Sequence, residues 1–129
     1  MSAPTTTPTP QQTASMFFGA GATSYPWWEI TEAYGAFDVD EPDDWSVVMI
    51  AWGDGTEPGG ELVAQKTVTH DTIVVALDKI RRQGSDLGVS TTAWQEAGIF
   101  LEDPDEADFD ANSADEVLQV AVIGRVMFS

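Results

Sequence analysis

The stretch EDPDEADFDANSADEVLQVAVIGRVMF, residues 102–128, decides the fold, because an acidic loop without a basic residue runs there into the most apolar segment of the chain. Ser113 and Glu116 have the spacing of a capping box, in which the serine hydroxyl accepts from the Glu116 amide and the glutamate carboxylate accepts from the Ser113 amide. Asp115 and Glu116 also stand where a helix dipole favours negative charge. These residues predict that a helix starts at Ala114.

The apolar half of this stretch predicts that the helix is mostly buried. After Glu116 only Gln119 and Arg125 are strongly polar, so a helix over residues 114–128 would bury most of its circumference. A buried strand is the alternative, because β-branched residues favour strands. The β-branched residues here are Val117, Val120, Val122, Ile123 and Val126. The capping box favours the helix.

Length and charge describe one small, strongly acidic domain. The chain of 129 residues suits a single domain with a modest core. Its 22 Asp and Glu residues against 5 Lys and Arg residues give a formal net charge of -17, which is more than solubility requires. Such self-repulsion destabilises a folded chain unless salt, a cation or a cationic partner offsets it.

Several classes of protein are disfavoured by composition. With no cysteine the chain has no disulfide, thiolate nucleophile or cysteine-zinc site. A single histidine, His70, excludes a multi-histidine metal site, and nothing in its spacing selects a nucleophile and an orienting acid around it. The first residues lack the pattern of a secretory signal, and no apolar run is long enough for a membrane span. We therefore expect no membrane association, no cofactor and no enzymatic activity.

Three short stretches predict a small antiparallel sheet. Residues 25–34 mix aromatic with alternating polar residues, residues 46–52 are almost wholly apolar, and residues 61–69 alternate. The glycine-rich residues 53–60 suit the turn of a hairpin between the last two strands. Residues 1–15 hold no charge and little to bury, which predicts a disordered tail before one domain over residues 16–129.

Local signals also predict the other helices. Thr69 is suited to cap a helix, and Gly84 is placed to end it in a left-handed turn. Ser90 or Thr92 is suited to cap the next, with Thr92 and Gln95 spaced as a second capping box. The helices are predicted over residues 70–83, 92–101 and 114–128. Packed against the sheet, they make an α+β fold.

The acidic loop partly matches the ligand pattern of a calcium-binding loop. Asp108, Asp110 and Asn112 match the first three ligand positions of a calcium loop. Ser113 then stands where the loop needs glycine, and Gln119 stands where it needs a bidentate glutamate. The three residues are weak metal candidates, and diffuse, salt-like cation binding is favoured over a specific site.

The surplus of acids falls into two dense clusters, the first over residues 38–44 and the second over residues 102–116. We interpret them as a surface for a basic partner. Trp27 is added because strand alternation puts it on the face opposite Trp28, where an exposed tryptophan suits an interface. The alternative is that both tryptophans fill the core. The predicted partner-binding residues are Asp38, Asp40, Glu41, Asp43, Asp44, Glu102, Asp103, Asp105, Glu106, Asp108, Asp110 and Trp27.

The stretch DEADFDANSADEVLQVAVIGRVMF, residues 105–128, resembles small acidic proteins encoded by bacteriophages of actinobacteria and by related prophages. Weaker likeness lies in YPWW at residues 25–28, DWSV at 44–47 and TVTHDTI at 67–73. The resemblance implies a phage-encoded protein of the host cytoplasm, and it implies no activity, cofactor or catalytic residue.

Charge and resemblance together suggest a non-enzymatic protein that binds a basic host partner. Folded together, the acids would mimic the charge of nucleic acid and compete with it for a nucleic-acid-binding or defence protein, without binding nucleic acid directly. A phage structural or assembly protein is one alternative, and an enzyme using a carboxylate-bound divalent cation is another. In a further alternative the acids only solvate the surface or adapt the chain to high salt.

Overall fold

The computed structural model describes residues 8–18, 22–25, 27–35, 44–53 and 62–128. This part of the chain folds into a three-stranded antiparallel sheet and four α-helices, which confirms the predicted α+β fold. The elements are α1 (Pro10–Phe18), β1 (Trp28–Tyr34), β2 (Ser46–Trp52), β3 (Leu62–Thr69), α2 (His70–Gln83), α3 (Thr91–Glu102) and α4 (Ala111–Val122). Single turns of 3₁₀ helix cover Ala22–Ser24, Gly84–Leu87 and Pro104–Glu106.

The sheet has the order β1-β2-β3, with the most apolar strand in the centre. Val47, Met49 and Ala51 of β2 are fully buried on the face that the helices cover. On the other face Ile50 is nearly buried, but Ser46, Val48 and Trp52 are half-buried, so the predicted cover on both faces is only partly present. The predicted bounds of β2 are confirmed, whereas β1 begins later than predicted, at Trp28. The described part of β3 begins at Leu62, and the predicted first residue, 61, lies outside the described residues.

Helix α4 lies at the centre of the helical layer and packs against the other three helices and the sheet. All of its residues from Ser113 to Val122 are buried. The prediction of a helix with most of its circumference buried is therefore confirmed.

Both predicted ends of this last helix are wrong. The N-cap is Asp110, whose side chain accepts from the Ser113 amide at 2.7 Å, so α4 begins at Ala111 and the Ser113 capping box does not form. The helix ends at Val122, and Gly124 follows with a φ of 100°, a left-handed conformation that glycine favours. The chain after Gly124 turns back over the core instead of continuing as helix.

The starts of α2 and α3 confirm the caps predicted at Thr69 and Ser90 and correct the predicted second capping box. Thr69 caps α2 in a capping box: its hydroxyl accepts from the Thr72 amide, and the Thr72 hydroxyl accepts from the Thr69 amide. Ser90 caps α3 by accepting from the Ala93 amide at 3.2 Å, so the predicted second box at Thr92 and Gln95 is wrong.

The glycine after α2 has a different role from the one predicted. Gly84 has a φ of -41°, which is right-handed, and the left-handed turn falls at Gly88 instead. A Cβ on Gly84 would lie 2.7 Å from Cδ1 of Trp94. Glycine is therefore required there because the Trp94 indole packs directly on the backbone.

The prediction of a disordered tail up to Ser15 is wrong for residues 10–15, which belong to α1, while residues 1–7 lie outside the described residues. Thr13 and Ala14 are fully buried. The Trp45 indole donates to the Pro10 carbonyl at 2.7 Å. Phe17 packs its ring 5.1 Å from that of Phe109. The helix start is also fixed locally, because Thr9 and Gln12 form the two hydrogen bonds of a capping box and Pro10 is the first helical residue. This cap and the tertiary contacts together hold the helix.

Candidate functional site

The second acidic cluster forms an ordered connection between α3 and α4, which we call the acidic ridge, residues 102–110. It holds six Asp and Glu residues and no Lys or Arg. The Asp103 amide donates to the Ile99 carbonyl at 2.7 Å, and a 3₁₀ turn over Pro104–Glu106 follows. The side chains that the structure shows as exposed are Glu102, Asp103, Glu106, Asp108 and Asp110.

Apolar anchors fix the backbone of the acidic ridge. Phe109 is buried against the rings of Phe17 and Phe100, with centroid distances of 5.1 and 6.0 Å. Pro104 is also buried, and the Asp108 amide donates to the Glu96 carboxylate at 2.7 Å. The charged side chains therefore stand on a preorganised backbone rather than on a loose loop.

The negative charge of the acidic ridge is not neutralised within the described chain. Of the ion pairs formed among the described residues, both join Asp78 to a guanidinium of α2, that of Arg81 or of Arg82. Asp110 accepts from the Ser113 amide, and this hydrogen bond holds the pKa of Asp110 below its ordinary value. That carboxylate therefore remains ionised while it caps α4.

The first acidic cluster is only partly described. Asp38, Asp40, Glu41 and Asp43 lie outside the described residues. Asp44 is exposed and lines a cavity of about 300 Å³ together with His70 and Asp71. The predicted union of the two clusters stays a prediction.

The prediction that Trp27 is partly exposed is wrong. Only 6% of Trp27 is exposed, and its ring stacks between those of Tyr25 and Phe128 at centroid distances of 4.9 and 5.2 Å. Strand alternation did not apply to it, because β1 begins one residue later, at Trp28. Trp27 therefore belongs to the core and not to a partner-binding surface.

The sequence reasoning placed Asp115 in the first turn of a helix, where the dipole favours its charge, and missed that this carboxylate is buried at the centre of the molecule. Its Oδ1 accepts from the indole N–H groups of Trp27 and Trp28 at 3.0 and 2.5 Å, and its Oδ2 accepts from Gln119 Nε2 at 2.8 Å. Burial raises the pKa of Asp115, and these three donors oppose the rise. Asp115 is 1% exposed, so it joins β1 to α4 and does not meet a substrate.

Glu116 is the second acid that the core uses. Its carboxylate accepts from the Ser90 amide at 2.6 Å and from the Asn112 side-chain amide at 3.2 Å. It therefore secures the start of α3 and does not take part in a helix cap. A spacing of four residues between Asp115 and Gln119, within an apolar helix, is the signal that pointed to a buried polar face here.

The weak calcium candidates have other roles in this fold. Asp110 caps α4, and the Asn112 amide group donates to Glu116. Across the described ranges, no group of three or more His, Cys, Asp or Glu residues has an arrangement suited to a metal ion.

His70 lies at the contact between α1 and α2, where its Nδ1 is 3.0 Å from the Thr13 hydroxyl. Burial lowers the pKa of His70 below its ordinary value of 6.5, and the charge of Asp71 opposes this shift. The folded state thus binds a proton less readily than the unfolded chain. The stability that His70 contributes is full above its ordinary pKa and is lost as the pH falls through the lowered one.

We expect an NMR titration of the sole imidazole to give a midpoint below 6.5, the ordinary value. Asp71→Asn should lower that midpoint further, because the opposing charge is removed. Glu32→Gln, at an exposed position of β1, should leave it unchanged. A midpoint at or above the ordinary value would show that His70 is solvated rather than held between the helices.

Comparison with protein-family models, with curated proteins and with solved structures found no match. The likeness to phage proteins therefore stays a prediction. Among the described segments, no helix combines the length and the apolar character needed to cross a bilayer.

Proposed function

We propose that this chain is a non-enzymatic acidic binding protein that engages a basic partner through the acidic ridge, as a mimic of nucleic-acid charge. In the setting that the phage resemblance implies, the partner is a host nucleic-acid-binding or defence protein in the host cytoplasm. The partner's basic surface, and not nucleic acid itself, is what the acidic ridge contacts.

The observation that carries this proposal is the order of an uncompensated acidic surface. Solubility alone requires acids on the surface but does not require them to stand on an anchored backbone. Here Phe109 and Pro104 fix the ridge, and its carboxylates have no cationic partner in the described chain. A preorganised charged surface loses less entropy on binding and accelerates encounter with a surface of opposite charge.

The test compares two variants with equal changes in net charge. In the ridge variant, Glu102→Gln, Glu106→Gln and Asp108→Asn remove three exposed charges but keep Asp110, which caps α4. In the control variant, Glu32→Gln, Asp71→Asn and Asp86→Asn remove three exposed charges elsewhere. Each protein is immobilised and exposed to an actinobacterial lysate, and the affinity of any captured protein is then measured with purified components.

We expect the ridge variant to bind the captured protein about tenfold more weakly, since each exposed charge pair contributes up to ~1 kcal/mol. The control variant should bind nearly as well as the wild type. Duplex DNA should compete for the same partner, and affinity should fall steeply as salt rises. Equal losses in both variants would indicate a response to net charge without a site, and binding that ignores salt would indicate an apolar contact instead.

A further inference from the structure

A groove lies where β3, α2 and the end of α4 meet, and in contrast to the acidic ridge it carries positive charge. Its volume is about 490 Å³, within the range of sites for small ligands. It is lined by residues of all three elements, including two of the five basic residues of the chain, Lys66 and Lys79. Nothing in the acidic-ridge proposal uses it.

Aliphatic side chains line much of the groove. Val122 and Ile123 come from the end of α4, and Val75 comes from α2. Val75 is 67% exposed, so it adds apolar surface that is open to water to the lining of the groove. A bound hydrocarbon would remove this apolar surface from water, a change worth about 25 cal/mol per Å².

The two lysines bring positive charge to the edge of this apolar surface. Lys66 pairs with Met49 across the sheet, which places it on the face of β3 that carries the helices. Lys79 stands on α2, half-buried. Neither ammonium group forms a hydrogen bond or an ion pair with any residue in the described ranges. The acid that lines the groove is Asp71, in the first turn of α2.

We infer that the groove binds a small amphipathic organic anion, with its carboxylate between Lys66 and Lys79 and its hydrocarbon on the aliphatic lining. Two unpaired cations beside exposed aliphatic surface are complementary to a ligand that has both a negative head and an apolar body. The net charge of the protein repels anions at long range. At physiological salt, however, the Debye length is about 8 Å, so the charges nearest the ligand dominate.

Lys66 and Lys79 each also suit a role in the fold that involves no ligand. An inward-facing charge on an edge strand such as β3 discourages pairing with other chains, and a cation near the end of a helix favours its dipole. If these roles account for Lys66 and Lys79 in full, the groove has no preference for anions.

Octanoate serves as the probe, titrated into methyl-labelled protein at about 0.15 M salt and followed by NMR. We expect saturable shifts centred on the methyl groups of Val75, Val122 and Ile123, with a dissociation constant of about 1 mM or below. Octanol, which has the same hydrocarbon without the charge, should bind more weakly. Lys66→Gln and Lys79→Gln should each weaken octanoate binding about fivefold.

Arg82→Gln is the matched control, because it removes the same charge from α2 at a position that does not line the groove. It should leave octanoate affinity unchanged, and thermal melting should show that all three variants are folded. The inference is overturned if octanoate gives no saturable shifts, if the shifts map away from the groove, or if neither lysine substitution weakens binding. Equal affinity for octanol would reduce the groove to an apolar site and would also overturn it.

Discussion

Asp115→Leu is expected to lower the free energy of unfolding by about 4 kcal/mol, because three buried N–H donors lose the acceptor that they share. The donors belong to Trp27, Trp28 and Gln119. Leucine has the same branching and number of side-chain heavy atoms but bulkier methyl groups, so no cavity forms and the loss combines unsatisfied donors with overpacking. Urea denaturation followed by circular dichroism measures it. A variant as stable as the wild type would show that the buried charge costs as much as its hydrogen bonds contribute.

Asp115→Asn separates the acceptor from the charge. The asparagine oxygen can still accept from both indoles, but its amide group then faces the Gln119 Nε2 donor. Gln119 has no freedom to turn its oxygen toward it, because that oxygen accepts from the amides of Met127 and Phe128. We expect a loss of about 2 kcal/mol at neutral pH, smaller than that of the leucine variant.

The same variant also reports the titration of Asp115. Burial raises the pKa of this carboxyl, so the folded state retains a proton that the unfolded chain releases. The free energy of unfolding of the wild type, relative to Asp115→Asn, should therefore rise as the pH falls through the raised pKa, and level off below the ordinary range of aspartate. The other carboxylates, common to both proteins, largely cancel in this difference. If this difference in the free energy of unfolding decreased as the pH fell, the three donors would have to lower the pKa of Asp115 more than burial raises it.

The sequence predicted the fold well where the deciding signals are local. Strand β2 and helix α2 have the predicted bounds because an unbroken apolar run and a threonine cap each act within a few residues. Helix α1 was missed although Thr9, Pro10 and Gln12 carry the signal of a helix start, a capping box with proline at the first helical position. The uncharged composition of the first fifteen residues hid that signal, and the contacts that bury the helix come from Trp45 and Phe109, far along the chain.

The start of α4 shows why the candidate site was only partly predictable. Asp110 with Ser113, and Ser113 with Glu116, are both acceptable caps in sequence. Glu116 is drawn away by the Ser90 amide, a contact across 26 residues, which leaves the cap to Asp110. The exposed acids of the ridge were found because charge patterning is visible in sequence. The spacing of Asp115 and Gln119 is a local hint of a shared polar face, but the burial of Asp115 also depends on Trp27 and on Trp28 of β1, which lie far from it in sequence. No local rule predicts that contact.

Gln119→Met is expected to lower the free energy of unfolding by about 3 kcal/mol, because a fully buried amide holds the C-terminal segment to the core. The Gln119 oxygen accepts from the amides of Met127 and Phe128 at 2.7 and 2.9 Å. Its Nε2 donates to the Phe128 carbonyl and to Asp115. Methionine fills the space but makes none of these hydrogen bonds.

The loss should appear first at the C-terminus. Once the amide is removed, the backbone groups of Met127 and Phe128 that it bonded can find partners in water only if these residues leave the core, and the stack of Phe128 on Trp27 is then lost. Hydrogen exchange at Met127 and Phe128 should accelerate by more than the change in global stability explains. Val75→Ala, at an exposed position of α2, is a control that should leave this exchange unchanged. Unchanged protection in Gln119→Met would show that the aromatic stack alone holds the segment.

Gln119→Glu separates the hydrogen bonds that Gln119 accepts from Met127 and Phe128 from the one that it donates to the Asp115 carboxylate. The new carboxylate still accepts from Met127 and Phe128, but it stands where Nε2 donated to Asp115 at 2.8 Å. When two carboxylates lie so near each other, ionising both is unfavourable, so one pKa of the pair must rise strongly. We expect Gln119→Glu to be at least as unstable as Gln119→Met at neutral pH. It should then regain stability as the pH falls, because a protonated Glu at position 119 again donates to Asp115. Gln119→Met can gain a proton only at Asp115 itself and makes no new hydrogen bond at position 119, so its recovery at low pH should be smaller. Parallel pH profiles for the two variants would contradict the role of Asp115 as the acceptor at this position.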